Sequence, residues 1–326
     1  MDISVVVPAR NAEQTIGECL ESLLTQSEPR ERYEVIVVDD GSTDDTRQVV
    51  QRYEVTLLDQ PHEGPAAARN RGVAASQGEV VLFTDADCVP APDWIEEMLR
   101  PFEGQDVVGV KGAYRTRQRG VLPRFVQCEY EERYERMARL KQIDFVDTYS
   151  AGYRRQIFLA EGGFDTAYPN ASVEDQEFSF RLAERGYKMV FTPKAIVYHR
   201  HPETVRAYLR RKFNIGYWKV RVLRRHPGKA AQDSHTPQSL KIQMALAVIL
   251  VPLLALVLAS DWFCSLALLT VVLYLASTLP FVIKTIRENP LVGVVSPVLL
   301  FLRALALSLG MFKGTWDLTM RWEAPR

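Results

Sequence analysis

Short apolar runs alternate with segments of helical spacing along the first part of the chain. Apolar runs at 3–7, 35–38, 55–58 and 80–83 predict buried strands, and helical spacing at 15–24, 44–52 and 65–76 predicts the helices between them. Strands that alternate with helices in this way usually pair in parallel. The pattern therefore predicts an α/β fold with a mostly parallel sheet.

The same pattern continues less regularly towards residue 200. It predicts a helix over 93–102, a strand over 107–112, a long helix over 125–140 and a turn at 162–165. A further helix is expected to begin near Val173, with Ser172 just before it, and to stop at Gly186. A strand at 189–191 and an edge segment at 195–198 complete the predicted domain.

The C-terminal part of the chain is strongly apolar. Segments 242–260 and 262–283 carry almost no charge and are long enough to cross a bilayer at roughly 1.5 Å per residue. A third segment, 291–312, is interrupted by Pro297 and Arg303, so that spanning, re-entrant and interfacial placements are all open. The sequence slightly favours a third span.

A basic and aromatic stretch, 204–225, precedes these segments. It fits a helix in the lipid headgroup region, and a solvated basic helix on the domain surface is the alternative. Lys241 before the first span and Lys284 and Arg287 after the second predict that these ends lie in the cytoplasm. We therefore expect three parts: a domain at 1–203, an interfacial linker at 204–241 and a membrane domain at 242–326.

Composition adds few constraints. The 326 residues carry a formal net charge of zero, but acids concentrate before about residue 185 and bases follow residue 200. The N-terminus lacks the pattern of a signal peptide, which predicts a cytoplasmic first domain of a multi-pass protein of the plasma membrane. The four cysteines are widely spaced and predict neither a disulfide framework nor a zinc cluster.

Two predicted strands end in pairs of carboxylates. Asp39 and Asp40 follow the strand at 35–38, and Asp85 and Asp87 follow the strand at 80–83. Because ligands of open α/β sheets bind outside the carboxyl ends of the strands, these acids are expected to converge on one cleft. A solvated turn also explains Asp85 and Asp87, but hard oxygen ligands after a buried strand favour Mg²⁺ or Mn²⁺ bound to a diphosphate.

Two predicted helix starts carry further candidates. Arg69 lies one turn into the helix that begins at Pro65, where it suits a diphosphate, although close packing of the small residues around it explains this segment equally well. Glu174 and Asp175 lie in the first turn of another helix. There they complement the helix dipole or supply a general base, and the local sequence does not decide between these roles.

Histidines and missing motifs narrow the function further. His199 and His201 point to opposite faces of an extended segment, so at most one of them is expected to bind a given metal. A Walker loop, a dinucleotide fingerprint and a Ser-His-Asp order do not stand out, which argues against ATPases, dinucleotide enzymes and serine hydrolases. No nucleic-acid partner is expected.

Six motifs in order resemble family-two glycosyltransferases of the GT-A fold, over roughly residues 1–220. The motifs are Val5-Val6-Val7-Pro8-Ala9-Arg10-Asn11, Val37-Val38-Asp39-Asp40-Gly41-Ser42-Thr43-Asp44, Ala68-Arg69-Asn70-Arg71-Gly72, Asp85-Ala86-Asp87, Gly162-Gly163-Phe164-Asp165 and Glu174-Asp175. The resemblance implies a Rossmann-like catalytic domain and a metal-dependent transferase that uses a nucleoside-diphosphate sugar, of hexosyltransferase type.

The resemblance also assigns roles to residues. It implies that Pro8, Ala9 and Asn11 line the nucleotide pocket, that Asp40 contacts the base, and that Asp85 lies near the ribose. It implies that Asp87 binds the metal, with His199 as a further candidate ligand, and that Asp175 is the base of an inverting displacement. Arg69 and Glu174 are expected beside the donor. The region that holds Gln-X-X-Arg-Trp in processive relatives reads Asn214-Ile215-Gly216-Tyr217-Trp218 here, which favours transfer of single sugars.

The membrane segments add an acceptor to this hypothesis: a lipid or lipid-linked molecule at the cytoplasmic face. One alternative is a non-catalytic membrane subunit that binds nucleotide sugars within a glycan assembly complex. A nucleotidyltransferase is a further alternative, but it requires a glycine-rich basic loop after the first strand, and Pro8-Ala9-Arg10-Asn11-Ala12 is not one.

Overall fold

The computed structural model describes residues 2–168 and 173–322, so Ser172 lies outside the described residues. The chain forms two compact units. The first comprises Met1–Arg117 and Tyr134–Arg200, and the second comprises Gln118–Arg133 and His201–Arg326. Residues 118–133 therefore group with the C-terminal part of the chain.

The described residues form eight strands and eleven α-helices. The strands are β1 (Ile3–Ala9), β2 (Tyr33–Asp40), β3 (Thr56–Gln60), β4 (Val80–Phe83), β5 (Cys88–Pro90), β6 (Val107–Arg115), β7 (Ala151–Arg154) and β8 (Lys188–His199). The helices of the N-terminal half are α1 (Ile16–Leu24), α2 (Thr46–Val50), α3 (Pro65–Ala75), α4 (Trp94–Leu99), α5 (Val121–Met137), α6 (Arg155–Ala160) and α7 (Glu174–Glu184). The remaining helices are α8 (Val205–Arg225), α9 (Gln238–Leu256), α10 (Asp261–Glu288) and α11 (Pro290–Trp322).

The first unit is built on one sheet with the strand order β3-β2-β1-β4-β7-β6-β8-β5. The first four strands in this order pair in parallel, as the alternating pattern predicts. Strand β7 is antiparallel to both of its neighbours, and β5 is antiparallel to β8. The sheet is therefore parallel in its first half and mixed in its second half.

The apolar runs of the first strands form the core of this unit. Strand β1 is buried over Ile3–Val7, and the runs of β2 and β4 are buried as well, because helices cover both faces of a parallel sheet. Gly72 in α3 allows a close approach of this helix to the sheet. A Cβ at this position would lie 2.3 Å from the Val6 side chain, so a larger residue would push α3 off β1.

Strand β8 corrects one prediction from the sequence. Residues 195–198 were expected at an edge of the sheet, but they continue a single strand that pairs with β6 on one side and with β5 on the other. The short strand β5, which has only three residues and was not predicted, forms the edge instead. Its pairing places Cys88 opposite His199.

The second unit is helical in its described residues. Three of its helices are long and apolar enough to cross a membrane, by length and composition only: Gln238–Leu256, Asp261–Glu288 and Pro290–Met320. The helices begin or end several residues from the predicted bounds, and α11 is continuous through Pro297 and Arg303. Large apolar side chains on α9 and α10 are exposed, as expected for surfaces that face lipid.

Candidate active site

The loops after β1 and β2 are joined by hydrogen bonds. Asn11 has a left-handed backbone with φ 48°, and its Oδ1 accepts hydrogen bonds from the Thr43 N–H at 2.9 Å and the Thr43 hydroxyl at 3.3 Å. The Asn11 N–H donates to Ser42 Oγ at 2.9 Å. Pro8 and Ala9 precede this junction at the end of β1, with Ala9 buried. The residues predicted for the nucleotide pocket therefore lie together at the carboxyl ends of β1 and β2.

Asp40 is engaged by its own chain. Its carboxylate accepts hydrogen bonds from Gln60 Nε2 at 2.7 Å and from the backbone N–H groups of Glu63 and Gly64 at 2.9 and 3.0 Å, and it contacts His62 Nδ1 at 2.8 Å. Burial alone raises the pKa of Asp40, but these hydrogen bonds outweigh it and lower the pKa below its ordinary value. Asp40 therefore stays ionised and fixes the loop at 60–64.

Arg69 links two of the predicted acidic motifs. Its guanidinium donates to Asp85 Oδ1 at 2.7 Å and to Glu174 Oε1 at 3.1 Å, and the side chains of Arg69 and Glu174 are each only 3% exposed. Two buried charges of opposite sign stabilise each other where water is excluded. Arg69 thus connects the end of β4 to the start of α7.

Asn70, next in α3, holds the turn that precedes α7. Its Nδ2 donates to the Phe164 carbonyl at 2.8 Å, and its Oδ1 accepts from the Phe164 N–H at 2.9 Å. Gly163 has φ 65°, and a Cβ there would lie 2.6 Å from Asn70 Oδ1, so glycine is required. Two motifs that lie far apart in the sequence therefore dock onto each other.

Asp175 lies beside this ion pair at the start of α7. Its carboxylate accepts hydrogen bonds from the N–H groups of Gln176 at 2.8 Å and Thr148 at 3.4 Å. Burial and the adjacent charge of Glu174 raise the pKa of Asp175 to about 7, although Arg69 and the two N–H donors oppose this change. A carboxylate with such a pKa is suited to accept a proton near neutral pH.

The predicted metal ligands meet where β5 pairs with β8. His199 Nε2 lies 3.3 Å from Asp87 Oδ2, and the Asp87 side chain is 51% exposed. One ligand atom each from Asp85, Asp87 and Cys88 lies within 4.8 Å of the others. His201, in contrast, belongs to the second unit, where its N–H donates to Gln118.

These donors fit a hard divalent cation. Two carboxylates and an imidazole are oxygen and nitrogen ligands of the kind that Mn²⁺ accepts, and Mg²⁺ accepts the carboxylates. Cys88 offers a soft sulfur ligand, which Mn²⁺ and Mg²⁺ accept less readily than oxygen, and burial together with the charges of Asp85 and Asp87 raises the pKa of its thiol well above the ordinary value. Asp87 and His199 are therefore the better pair.

A buried aromatic and ionic cluster, which the sequence reasoning missed, supports His199. The His199 ring stacks on Tyr114 with centroids 4.6 Å apart, and Tyr114 stacks on Tyr149. The ammonium of Lys111, 1% exposed, contacts the Asp147 carboxylate and donates to the Tyr149 hydroxyl at 3.2 Å. The sequence did offer one signal of this cluster, because Lys111 lies within the buried strand predicted at 107–112 and a buried lysine needs a partner.

Comparisons with known proteins find similarity to glycosyltransferases. Residues 4–160 match the sequence profile described as "Glycosyl transferase family 2". The chain is 25% identical over 232 residues to "Glycosyltransferase AglE" of Haloferax volcanii, covering 68% of this chain and 73% of that protein. It is 30% identical over 245 residues to the "Pre-mycofactocin glycosyltransferase" of Mycobacterium tuberculosis, covering 71% of this chain and 49%, or about half, of that protein.

A solved structure is similar over almost the whole chain. It is described as the mannosyltransferase PcManGT from Pyrobaculum calidifontis in complex with GDP-Man and Mn²⁺, with a TM-score of 0.64 and 23% identity, and the match covers 97% of this chain and 87% of that one. At this identity the likeness concerns the fold. Together with the family match it confirms the predicted GT-A fold class.

Proposed function

We propose that the chain, whose residues 4–160 match the profile of glycosyl transferase family 2, transfers a sugar from a nucleoside-diphosphate sugar to a lipid or lipid-linked acceptor at the cytoplasmic membrane face. One observation carries this proposal. Arg69 bridges Asp85 and Glu174, which brings the acids after β4 and the candidate base Asp175 to the same edge of the sheet. Sugar transfer requires both a site for the diphosphate and a base for the acceptor.

Asp175 is the proposed general base of an inverting displacement. Its carboxylate takes the proton of the acceptor hydroxyl, and the hydroxyl oxygen forms a bond to the anomeric carbon. The bond from that carbon to the diphosphate oxygen breaks, and the nucleoside diphosphate leaves with the electron pair. Attack from the opposite face inverts the configuration. The raised pKa of Asp175 supports this role, because a stronger base accepts the proton more readily.

The proposed donor pocket is lined by Pro8, Ala9 and Asn11, with Asp85 near the ribose. Asp40 is proposed to act at the base, and its four partners in 60–64 support a role in shaping the loop there. A preformed, hydrogen-bonded pocket loses little entropy when a ligand binds. This feature favours selective binding of the nucleotide.

Asp87 and His199 would hold the divalent cation, with Asp85 close by. Such a cation, when bound, neutralises charge on the diphosphate. The Tyr114 ring orients the His199 imidazole, since the two rings stack. Asp87, half exposed, is accessible to a charged ligand.

Arg69 is proposed to position acids rather than to bind the diphosphate directly. Its side chain is 3% exposed, and both of its terminal nitrogens already donate to carboxylates. A guanidinium in this position lowers the cost of placing Glu174 next to Asp175. This favours the packing alternative that the sequence left open, with an added electrostatic role.

The second unit supports a membrane acceptor. Three apolar helices and the basic helix α8 are the features expected of a protein held at a bilayer surface. We propose that the protein resides in the plasma membrane with its first unit in the cytoplasm, on the side of Lys241, Lys284 and Arg287.

The first experiment is a thermal-shift panel on the full chain in detergent. GDP, UDP, ADP, CDP and dTDP are tested with and without Mn²⁺ and Mg²⁺, because a ligand that binds only the native state raises the unfolding temperature. We expect one nucleotide to stabilise the protein, and more strongly with a cation. The absence of any stabilisation would contradict the proposal.

The second experiment measures sugar transfer to membrane lipids from the radiolabelled donor of that nucleotide. Asp175→Asn is expected to lower the rate about 10²–10⁴-fold, as loss of a general base does. In Asp87→Ala, addition of Mn²⁺ or Mg²⁺ is expected no longer to raise the transfer rate. Asp106→Asn, at an exposed surface pair, is the matched control. Donor binding without transfer in the wild type would support the non-catalytic alternative.

A further inference from the structure

Helices α8 and α11 lie side by side with their backbones in contact. A Cβ on Gly216 would lie 2.3 Å from the Leu307 carbonyl, and one on Gly310 would lie 2.1 Å from the Phe213 carbonyl. A Cβ on Gly314 would lie 2.4 Å from the Tyr217 carbonyl, so α8 follows the second half of α11 for several turns. Residues of α8 and of the second half of α11 that touch each other therefore lie at the same depth in a membrane.

Helix α8 is too basic to lie in hydrocarbon. It carries Arg206, Arg210, Arg211, Lys212, Lys219, Arg221, Arg224 and Arg225 and no acidic residue. Each such charge at the centre of a bilayer costs roughly 2.5–3.5 kcal/mol on insertion scales. The second half of α11, in backbone contact with α8, is thereby kept out of the hydrocarbon centre as well.

The remaining part of α11 is too short to cross alone. Contact with α8 begins by Arg303, which shares the Glu129 carboxylate with Lys212. The part from Pro290 to this point is roughly 20 Å long at about 1.5 Å per residue. The hydrocarbon core is about 30 Å thick. The apolar composition of α11 alone does not show that the part free of α8 is shorter than the hydrocarbon core.

Polar contacts set both helices at the level where α9 begins. Arg303 Nη2 donates to Gln243 Oε1 at 2.8 Å, close to Lys241 in the first turns of α9. Lys219 Nζ donates to the Thr236 hydroxyl at 2.9 Å, just before α9 starts.

The pair presents two different surfaces. Leu309, Phe312, Trp316 and Met320 recur at helical spacing along α11 and are 58%, 70%, 52% and 47% exposed. The exposed cations of α8 are Arg206, Arg210, Arg211, Arg224 and Arg225. An exposed apolar stripe and exposed cations on a packed pair of helices are complementary to an anionic lipid surface, where acyl chains lie beneath charged headgroups.

We propose that α11 does not cross the bilayer. Its second half lies with α8 in the headgroup region, with the apolar stripe in the acyl-chain boundary and the arginines facing anionic lipids. The chain then crosses the membrane twice, through α9 and α10, and its C-terminus lies on the side of Lys241. This inference reverses the preference of the sequence for a third span and is independent of sugar transfer.

Reporter fusions to the full chain in a bacterial host test the topology. Green fluorescent protein folds in the cytoplasm and alkaline phosphatase is active outside it, so each is fused in turn to the N-terminus and the C-terminus. We expect fluorescence at both ends and no phosphatase activity at either. Phosphatase inserted after Ser260, between α9 and α10, is the active control. An active C-terminal phosphatase with a fluorescent N-terminus would overturn the proposal.

Labelling tests the lipid surface itself. In a Cys264→Ser background, a fluorescent probe is attached to Phe312→Cys or to Arg210→Cys, and the chain is reconstituted in vesicles that contain phosphatidylglycerol. Aqueous iodide should quench the probe at position 210 and not the probe at position 312. Equal quenching at both positions would place the stripe in water and contradict the membrane docking.

Discussion

Each of two buried cations in the first unit is compensated by one or two neighbouring carboxylates. Arg69 compensates Asp85 and Glu174, and Lys111 compensates Asp147, and both cations are almost completely buried. Because a buried charge is costly without a partner, these pairs restrict where the attached segments can lie. The position of Asp175 follows from one such pair, since Glu174 is its neighbour in α7.

The rate of transfer is expected to depend on the ionisation of Asp175. Its pKa is raised to about 7, and only the ionised form accepts a proton, so kcat/KM should fall as the pH drops through about 7. Glu174→Gln removes the neighbouring like charge and should move this acidic limb to lower pH. An unmoved limb in Glu174→Gln, measured over pH 5–9, would assign the titration to another group.

Removal of the Lys111 ammonium is expected to destabilise the first unit. Lys111→Met leaves the Asp147 carboxylate without its cation, and breaking a buried pair costs roughly 3–5 kcal/mol. The unfolding temperature of the full chain should fall clearly, and Lys111→Met with Asp147→Asn should recover part of the loss. Lys188→Met, at the exposed pair with Asp106, is the matched control and should change little.

At the scale of elements, short and unpredicted segments complete the site. The three-residue strand β5 places Asp87 beside His199, and the turn at 148–150 supplies the Thr148 N–H to Asp175. Neither segment is long enough to show a hydrophobic period, which is why sequence patterns miss them. The packing of the long helices α8 and α11 depends instead on glycines, because the missing side chains let the two backbones touch.

A larger residue at Gly310 is expected to separate α8 from α11. In Gly310→Leu the new side chain meets the Phe213 carbonyl, a backbone atom that cannot move without its helix. Overpacking of this kind costs typically about 1–3 kcal/mol. The temperature at which the detergent-solubilised chain aggregates should fall. Among the described residues nothing lies within 4 Å of a Cβ at Gly228, so Gly228→Ala is the control and should behave like the wild type.

The whole molecule combines a sheet-based unit with a helical unit of different chemistry. The first unit holds the acidic candidate site, and the second holds the apolar helices and the basic α8. The formal net charge of the full chain is zero and does not show this division, because it is a sum over both units.

The full chain is expected to behave as an integral membrane protein. The hairpin of α9 and α10 exposes many large apolar side chains, so neither 1 M salt nor alkaline carbonate should release the protein from membranes. Detergent should release it completely. Release by carbonate would mean that these helices do not cross the bilayer and would contradict both the proposed topology and the membrane acceptor.

The sequence by itself determined the parallel half of the sheet, the apolar helices and the acids after the strands. Strand and helix periods and strand-end carboxylates are local features, so the acids after two strands, Asp40 and Asp85 among them, sufficed to predict a cleft, whereas the role of Asp175 came from the family resemblance. Tertiary structure alone decided that Arg69 pairs with carboxylates, that His199 rather than His201 lies beside Asp87, and that β8 is not an edge strand. These outcomes depend on contacts between residues that are distant in sequence, and no local period records such contacts.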